Sequence, residues 1–254
     1  MTRRPHLHAF SRHCRRCRAA RGAGGAADAG MALIVALLAS LVLSALGLML
    51  LMVTSTETLI AGNYRDGVEA LHAADAALER VIADVAPLTD WSTALASPDG
   101  VVSAIRSTFG DAALSAEMLD GRTLDLVKTT NRLNCPQVFP PSSTACSAAQ
   151  MDHVSGDRPW GSNNPRWRLY ARGWLTALAP GTGSPFYIAA WVSDDPAETD
   201  GDPARDGIAG GNPGAGVLQL RAEAFGPGGA HRAVEATIGR AAVGMRLISW
   251  RLVR

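Results

Sequence analysis

Residues 31–53, MALIVALLASLVLSALGLMLLMV, carry no charged side chain. A helix of ~20 apolar residues is enough to cross a bilayer, so this run can span one. The next segment, TSTETLIAGNYRDGVEALHAADAALERVIADV, keeps helical periodicity but carries charge, and no proline separates Met31 from Val85. Nothing at the junction stops a helix. The sequence therefore predicts one continuous helix, lipid-compatible in its first part and amphipathic in its second, about 80 Å long at ~1.5 Å per residue. Propensity alone does not hold a helix of that length, which calls for packing along its sides.

Charge around the run is uneven. Arg3, Arg4, Arg12, Arg15, Arg16, Arg18 and Arg21 precede it, with Asp28 the only acid before it. Flanking Lys/Arg bias sets membrane orientation, so the N-terminus is expected in the cytoplasm and everything after Val53 outside it. A cleaved signal peptide is the competing reading. Its apolar core is about 7–15 residues long and ends at a small-residue cleavage site. Here the run is longer and Thr54, Ser55, Thr56 and Glu57 follow it, which favours a retained membrane helix. The formal net charge of +1 leaves no basic excess to neutralise phosphates, so no nucleic-acid partner is expected.

After Val53, a 3.6-residue period puts Leu59, Ile60, Leu71, Leu78 and Val81 near one face, with Ala70, Ala73, Ala74, Ala76 and Ala77 between them. Alanine raises helix propensity at little entropic cost. Gly62, Asn63 and Gly67 weaken the same segment, and a kink or partial melt is expected there.

Gly30 followed by MALIVALL, then AGNYRD (residues 61–66) and AADAAL (residues 73–78), resembles the N-terminal region of PilX-type minor pilins of the type IV pilus system. The resembling stretch runs from about residue 30 to residue 79. The resemblance implies cleavage after Gly30 by a prepilin peptidase and a new, methylated N-terminus at Met31. It implies other pilins and minor pilins as partners, residence in the inner membrane with the head in the periplasm, and later a place in the surface fibre. Most pilins carry glutamate at the fifth mature position, where it pairs with a neighbour's terminal amine. Here that position is Val35, as in K-type pseudopilins and many PilX-type pilins, which implies a priming or tip position.

The expected organisation is a basic leader over residues 1–30, a membrane helix over 31–53, its soluble extension over 54–86, and an exported head over 87–254. Within the head, Arg166 to Leu175, Pro185 to Val192, Val217 to Phe225 and Arg232 to Arg240 read as strands, the first half-buried by its alternation. The glycine-rich link at residues 226–229 suits an antiparallel hairpin. The fold class expected is α+β: a long N-terminal helix packed on an antiparallel sheet of three or four strands. Residues 101–105 and 114–127 give no clear pattern, and residues 134–165 read as a long surface loop.

Cys135 and Cys146 fall in that loop, and an oxidising compartment favours a disulfide between them. Cys14 and Cys17 lie in the arginine arm beside His6, His8 and His13. That spacing permits a zinc site, but the arm has few apolar residues to fold around one, and a disordered arm is the simpler reading. The acidic stretch SDDPAETDGDPARDG offers Asp194, Asp195, Asp200, Asp202 and Asp206 as oxygen ligands for a structural Ca2+. Its spacing is not that of an EF-hand, and a solvated acidic loop is the alternative.

No G-x-S-x-G, H-E-x-x-H or phosphate-loop motif occurs, and His72, His153 and His231 are scattered. Trp160, Trp167, Trp174 and Trp191 are expected to fill core or sheet-face positions. The function expected is non-enzymatic: a minor pilin that helps initiate, assemble or cap a type IV pilus. A K-type pseudopilin of type II secretion and a membrane-anchored periplasmic binding or sensor protein are the alternatives.

Overall fold

The structure is a computed structural model that describes residues 25–95, 114–135, 146–153, 165–198, 200–207 and 214–253. Cys14, Cys17, residues 101–105, Trp160 and most of the expected loop between residues 134 and 165 lie outside these. The chain divides into two compact units, Met1–Thr58 and Leu59–Arg254.

Helix α1 (Gly25–Val85) begins in the first unit and ends in the second. In the first unit its apolar side chains are exposed, from Met31 at 68% to Val53 at 55%. Its hydroxyls are satisfied by the helix itself. Ser40 donates to the Leu37 carbonyl, Ser44 to Ser40, Thr54 to Leu50 and Thr56 to Met52, all at 2.7–2.9 Å. Back-bonding of this kind hides the polar group that an apolar solvent would otherwise penalise.

The second unit is built on a five-stranded antiparallel meander, β3 (Arg168–Trp174), β4 (Tyr187–Asp194), β5 (Val217–Phe225), β6 (His231–Arg240) and β7 (Met245–Val253), in that spatial order. Sequence reading found the first four to within a few residues and missed β7. Its side chains are mostly exposed, so MRLISWRLV shows no clean buried alternation. The β5–β6 link is a hairpin closed by Gly226 N–H donating to the Ala230 carbonyl at 2.8 Å. Gly228 and Gly229 take φ of 64° and 83°, which side chains resist. Gly226 is required for space, because a Cβ there would come within 2.2 Å of the Phe186 ring.

One face of the sheet receives the C-terminal part of α1. Ala70, Ala73, Ala74, Ala77, Leu78, Val81 and Val85 form the buried stripe, meeting Ile188, Ala190, Val192, Leu220, Ala222, Ala224, Val234 and Ala236. Both surfaces are alanine-rich and fully buried, which leaves little room for larger groups. The stripe starts later than the periodicity suggested. Leu59 and Ile60 are 68% and 63% exposed, because burial on the helix begins only at Gly67. The expected break near Gly62 and Gly67 is absent, since α1 is helical through both. Gly67 meets the sheet instead: a Cβ there would come within 2.8 Å of the Arg232 guanidinium. Beyond α1, the short helix α2 (Ser92–Leu95) adds Ala94 and Leu95 to the same core. Trp91 closes it, its indole N–H donating to the Val85 carbonyl at 3.1 Å.

The opposite face is covered over β3 and β4 by a second core. The hairpin β1 (Ser115–Glu117) and β2 (Thr123–Asp125) and helix α3 (Leu126–Asn134) pack Ala116, Met118 and Leu126 on Leu169, Tyr187, Ala189 and Trp191. Asp125 caps α3 by accepting from the Lys128 N–H at 2.9 Å. Trp191 is fully buried, and its N–H donates to the Thr130 hydroxyl at 2.8 Å. Trp174 stacks edge-on against Tyr187 at 5.4 Å, and Trp167 lies against the same core. This cover corrects the expectation for β3. It was read as half-buried, yet Leu169 to Gly173 are all buried because both faces are capped. The two remaining short helices are α4 (Ala148–Met151) and α5 (Leu175–Leu178).

Past that cover, the same face of β5–β7 carries a charged row. Arg221 lies opposite Glu235, and Glu235 opposite Arg251. Arg221 also pairs with Glu223, which meets His231 at 2.9 Å. Burial works against the Glu223 carboxylate, but the His231 hydrogen bond and the Arg221 charge hold it below the usual glutamate range.

Two predictions follow from this packing. Ala74→Leu forces a branched side chain into a fully buried position of the helix–sheet core and should cost about 1–3 kcal/mol, read from urea denaturation of the detergent-solubilised chain. Glu223 has a depressed folded pKa, so its stabilisation is complete above the unfolded glutamate value of about 4.3 and is lost as pH falls through the folded value. Glu223→Gln should therefore flatten the acid limb of a plot of melting temperature against pH.

Candidate functional site

The residues singled out in the sequence occupy three places. Gly30 and Met31 lie inside α1, five and six residues after its first residue, and both are exposed. Val35 is 61% exposed and presents an aliphatic group at the fifth position counted from Met31. Together with the large apolar residues up to Val53, these make a charge-free surface all round the helix. Lipid or the apolar faces of other helices are the natural covers for such a surface.

The second place is the end of α3. Cys135 and Cys146 face each other with Cα atoms 6.4 Å apart, inside the ordinary disulfide range of roughly 4.4–6.8 Å. The neighbouring Asn134 fixes the strand side. Its amide donates to the Trp167 carbonyl at 2.9 Å and its oxygen accepts from the Trp167 N–H at 2.7 Å. Asn134 thus ties the end of α3 to the chain that enters β3.

The third place is the loop that leaves β4. Asp194, the last residue of β4, and Asp206, from the middle of the loop, are brought together with Glu198, which the sequence reading left out of its ligand set. All three are buried. Asp195, Asp200 and Asp202 stay apart and shape the loop. Their carboxylates accept from the Ala197, Asp202 and Ala204 N–H groups at 3.1, 2.7 and 3.0 Å. These are turns in which a side chain takes the place of a backbone acceptor. Glu198 lies only four residues beyond Asp194, with a turn between that is closed by Glu198 N–H donating to the Asp195 carbonyl at 3.0 Å. That turn, invisible to a spacing rule built on aspartates alone, swings Glu198 back onto the strand end.

The loop is fastened on several sides. One Asp206 oxygen accepts from the Gly216 N–H at 2.6 Å, and the Asp206 N–H donates to the Ser92 hydroxyl at 3.2 Å. Arg240, at the end of β6, lies with its Nε 3.7 Å from Asp206 Oδ2. Its guanidinium also covers the Trp91 ring at 4.4 Å and donates to the Leu88 carbonyl at 3.3 Å. Gly214 packs so closely that a Cβ would come within 2.6 Å of the Glu198 backbone nitrogen. Burial and the adjoining Glu198 carboxyl push Asp194 up to about 9. Glu198 and Asp206 are also raised, chiefly by burial. Oxygen-only groups of this kind suit a hard divalent cation and offer neither nitrogen nor sulfur to a softer one.

The histidines do not assemble with these groups. His72 and His153 are exposed, and His231 is engaged with Glu223. Among the described residues, no nucleophile is held against a histidine base.

Replacing both cysteines, Cys135→Ser with Cys146→Ser, should lower stability by about 2–4 kcal/mol, read as a drop in melting temperature that the wild-type chain reproduces only under reducing conditions.

No curated protein and no solved structure matches the chain as a whole or in part. A family model does. Residues 29–79, which hold Gly30, Met31, Val35 and both the AGNYRD and AADAAL segments, match the model described as PilX N-terminal.

Proposed function

We propose that this chain is a membrane-anchored minor pilin of a type IV pilus system, with a structural and non-enzymatic role. The observation that carries the reading is the PilX N-terminal match over residues 29–79. It covers the charge-free helical surface and also the alanine stripe that seats the helix on the sheet. An apolar helix by itself would suit any anchor. A helix whose first part is bare and apolar, and whose later part is buried against an antiparallel meander, supports a subunit that is stored in a membrane and then packed against like helices.

In this reading residues 31–53 hold the subunit in the inner membrane, with the head exported, until extraction into the fibre. Prepilin peptidase cuts after Gly30 and Met31 becomes the methylated N-terminus. Val35 offers no carboxylate for the amine of an adjoining subunit, which supports a starting or capping position over a repeated one. The same valine suits a K-type pseudopilin of type II secretion, so the test separates the two.

Mass spectrometry of the membrane-extracted chain should find a mature N-terminus at Met31, and Gly30→Asp should leave the arginine arm attached. Deleting the gene should lower surface pili at least tenfold. An intact arm in cells with active peptidase would overturn the pilin reading. Normal pili with lost protein secretion would assign the chain to type II secretion.

A further inference from the structure

Asp194, Glu198 and Asp206 each bring a carboxylate oxygen to within 4.8 Å of the other two. Two observations set them apart from an acidic surface patch. They are only 3%, 3% and 2% exposed, where lone carboxylates are rarely found. In addition, Asp194 Oδ1 and Asp206 Oδ2 are sealed from solvent without a hydrogen-bond partner. A buried carboxylate oxygen with no donor is costly, and three carboxylates in contact add repulsion to that cost. Arg240 answers only part of the charge. It reaches Asp206 at 3.7 Å and is shared with the Leu88 carbonyl and the Trp91 ring.

We propose that Asp194, Glu198 and Asp206 form a structural Ca2+ site that fastens the loop between β4 and β5 to the end of the sheet. The donor set is all oxygen, as a hard cation requires. Size selects between the hard cations. Ca2+ binds oxygen at about 2.3–2.6 Å, so ligands on opposite sides stand up to about 5 Å apart, whereas Mg2+ at about 2.0–2.1 Å spans only about 4.2 Å. Three oxygens within 4.8 Å of one another lie within about 2.8 Å of a common centre, so they close on Ca2+ with a small movement and on Mg2+ only with a larger one. Second carboxylate oxygens and water complete its shell. The surroundings hold the ligands in place: Gly216 N–H occupies Asp206 Oδ1 and leaves Oδ2 to the more distant Arg240, and Gly214 admits the Glu198 backbone where any side chain would displace it. The site does not depend on the pilin reading, since it uses only residues of the head.

A proton shared between Asp194 and Glu198 is the other way to relieve the crowding, and calcium titration of the full chain in detergent near neutral pH tells the two apart. One Ca2+ per chain should bind, with Mg2+ at least tenfold weaker. Saturating Ca2+ should raise the melting temperature by about 5 °C over EGTA at a hundredfold excess over Kd. Asp194→Asn and Asp206→Asn should each weaken Ca2+ at least tenfold and remove that increment. Asp194→Asn should nonetheless melt at or above the wild type in EGTA, because it removes repulsion, which distinguishes lost binding from lost folding. Asp200→Asn and Asp202→Asn should keep the increment. A wild-type chain that retains no Ca2+ and melts identically in Ca2+ and EGTA would overturn the site. So would an increment abolished by Asp200→Asn but preserved in Asp194→Asn.

Discussion

The burial of alanine against alanine, where the last third of α1 meets the sheet, governs the rest of the second unit. Ala70, Ala73, Ala74 and Ala77 face Ala190, Ala222, Ala224 and Ala236. The small side chains on both surfaces are buried, and a closely packed interior has few alternative arrangements. It sets where β3–β6 lie beneath the helix. Bulkier residues close its lower end, with Leu78, Val81 and Val85 leading to Trp91 and Leu95.

From that end the packing continues into the acidic loop. Trp91 lies under the Arg240 guanidinium, Arg240 faces Asp206, and Ser92 receives the Asp206 N–H. The turn after the long helix and the loop after β4 are therefore parts of one cluster, although more than a hundred residues separate Ser92 from Asp206. Three carboxylates are held inside it by backbone and by an arginine with other duties. Such a cluster is poorly balanced by itself, and this imbalance, more than the number of acids in the loop, is what points to a cation.

The two faces of the sheet are handled differently. Over β3 and β4 both faces are covered, so β3 is buried on each side. Over β5–β7 the face away from the helix is finished with ion pairs, Arg221 to Glu235 to Arg251, instead of a second apolar layer. Charged cross-strand partners satisfy an open sheet face and leave it water-compatible.

Much of this was written locally in the chain. The absence of charge from Met31 to Val53 and the absence of proline up to Val85 determined a continuous helix, because helix continuation depends on neighbours three and four residues apart. Alternation marked β3, the segments that form β4–β6 were read as further strands with a glycine-rich link between the last two, and the AGNYRD and AADAAL segments were enough for the family resemblance. What the sequence left undecided depended on covering layers and long-range closure. Leu59 and Ile60 share the periodicity of the buried stripe yet are exposed, because burial depends on where the sheet lies. Strand β7 showed no buried face, since the two cores cover β3–β6 and leave its side chains mostly exposed. Of the five aspartates in the acidic loop, spacing could not say which would turn inward. Asp195, Asp200 and Asp202 went to local turns, while tertiary closure brought Asp194 and Asp206 together and added Glu198, because burial beside β4 and the anchors at Gly216, Ser92 and Arg240 exist only once the sheet and the helix have met.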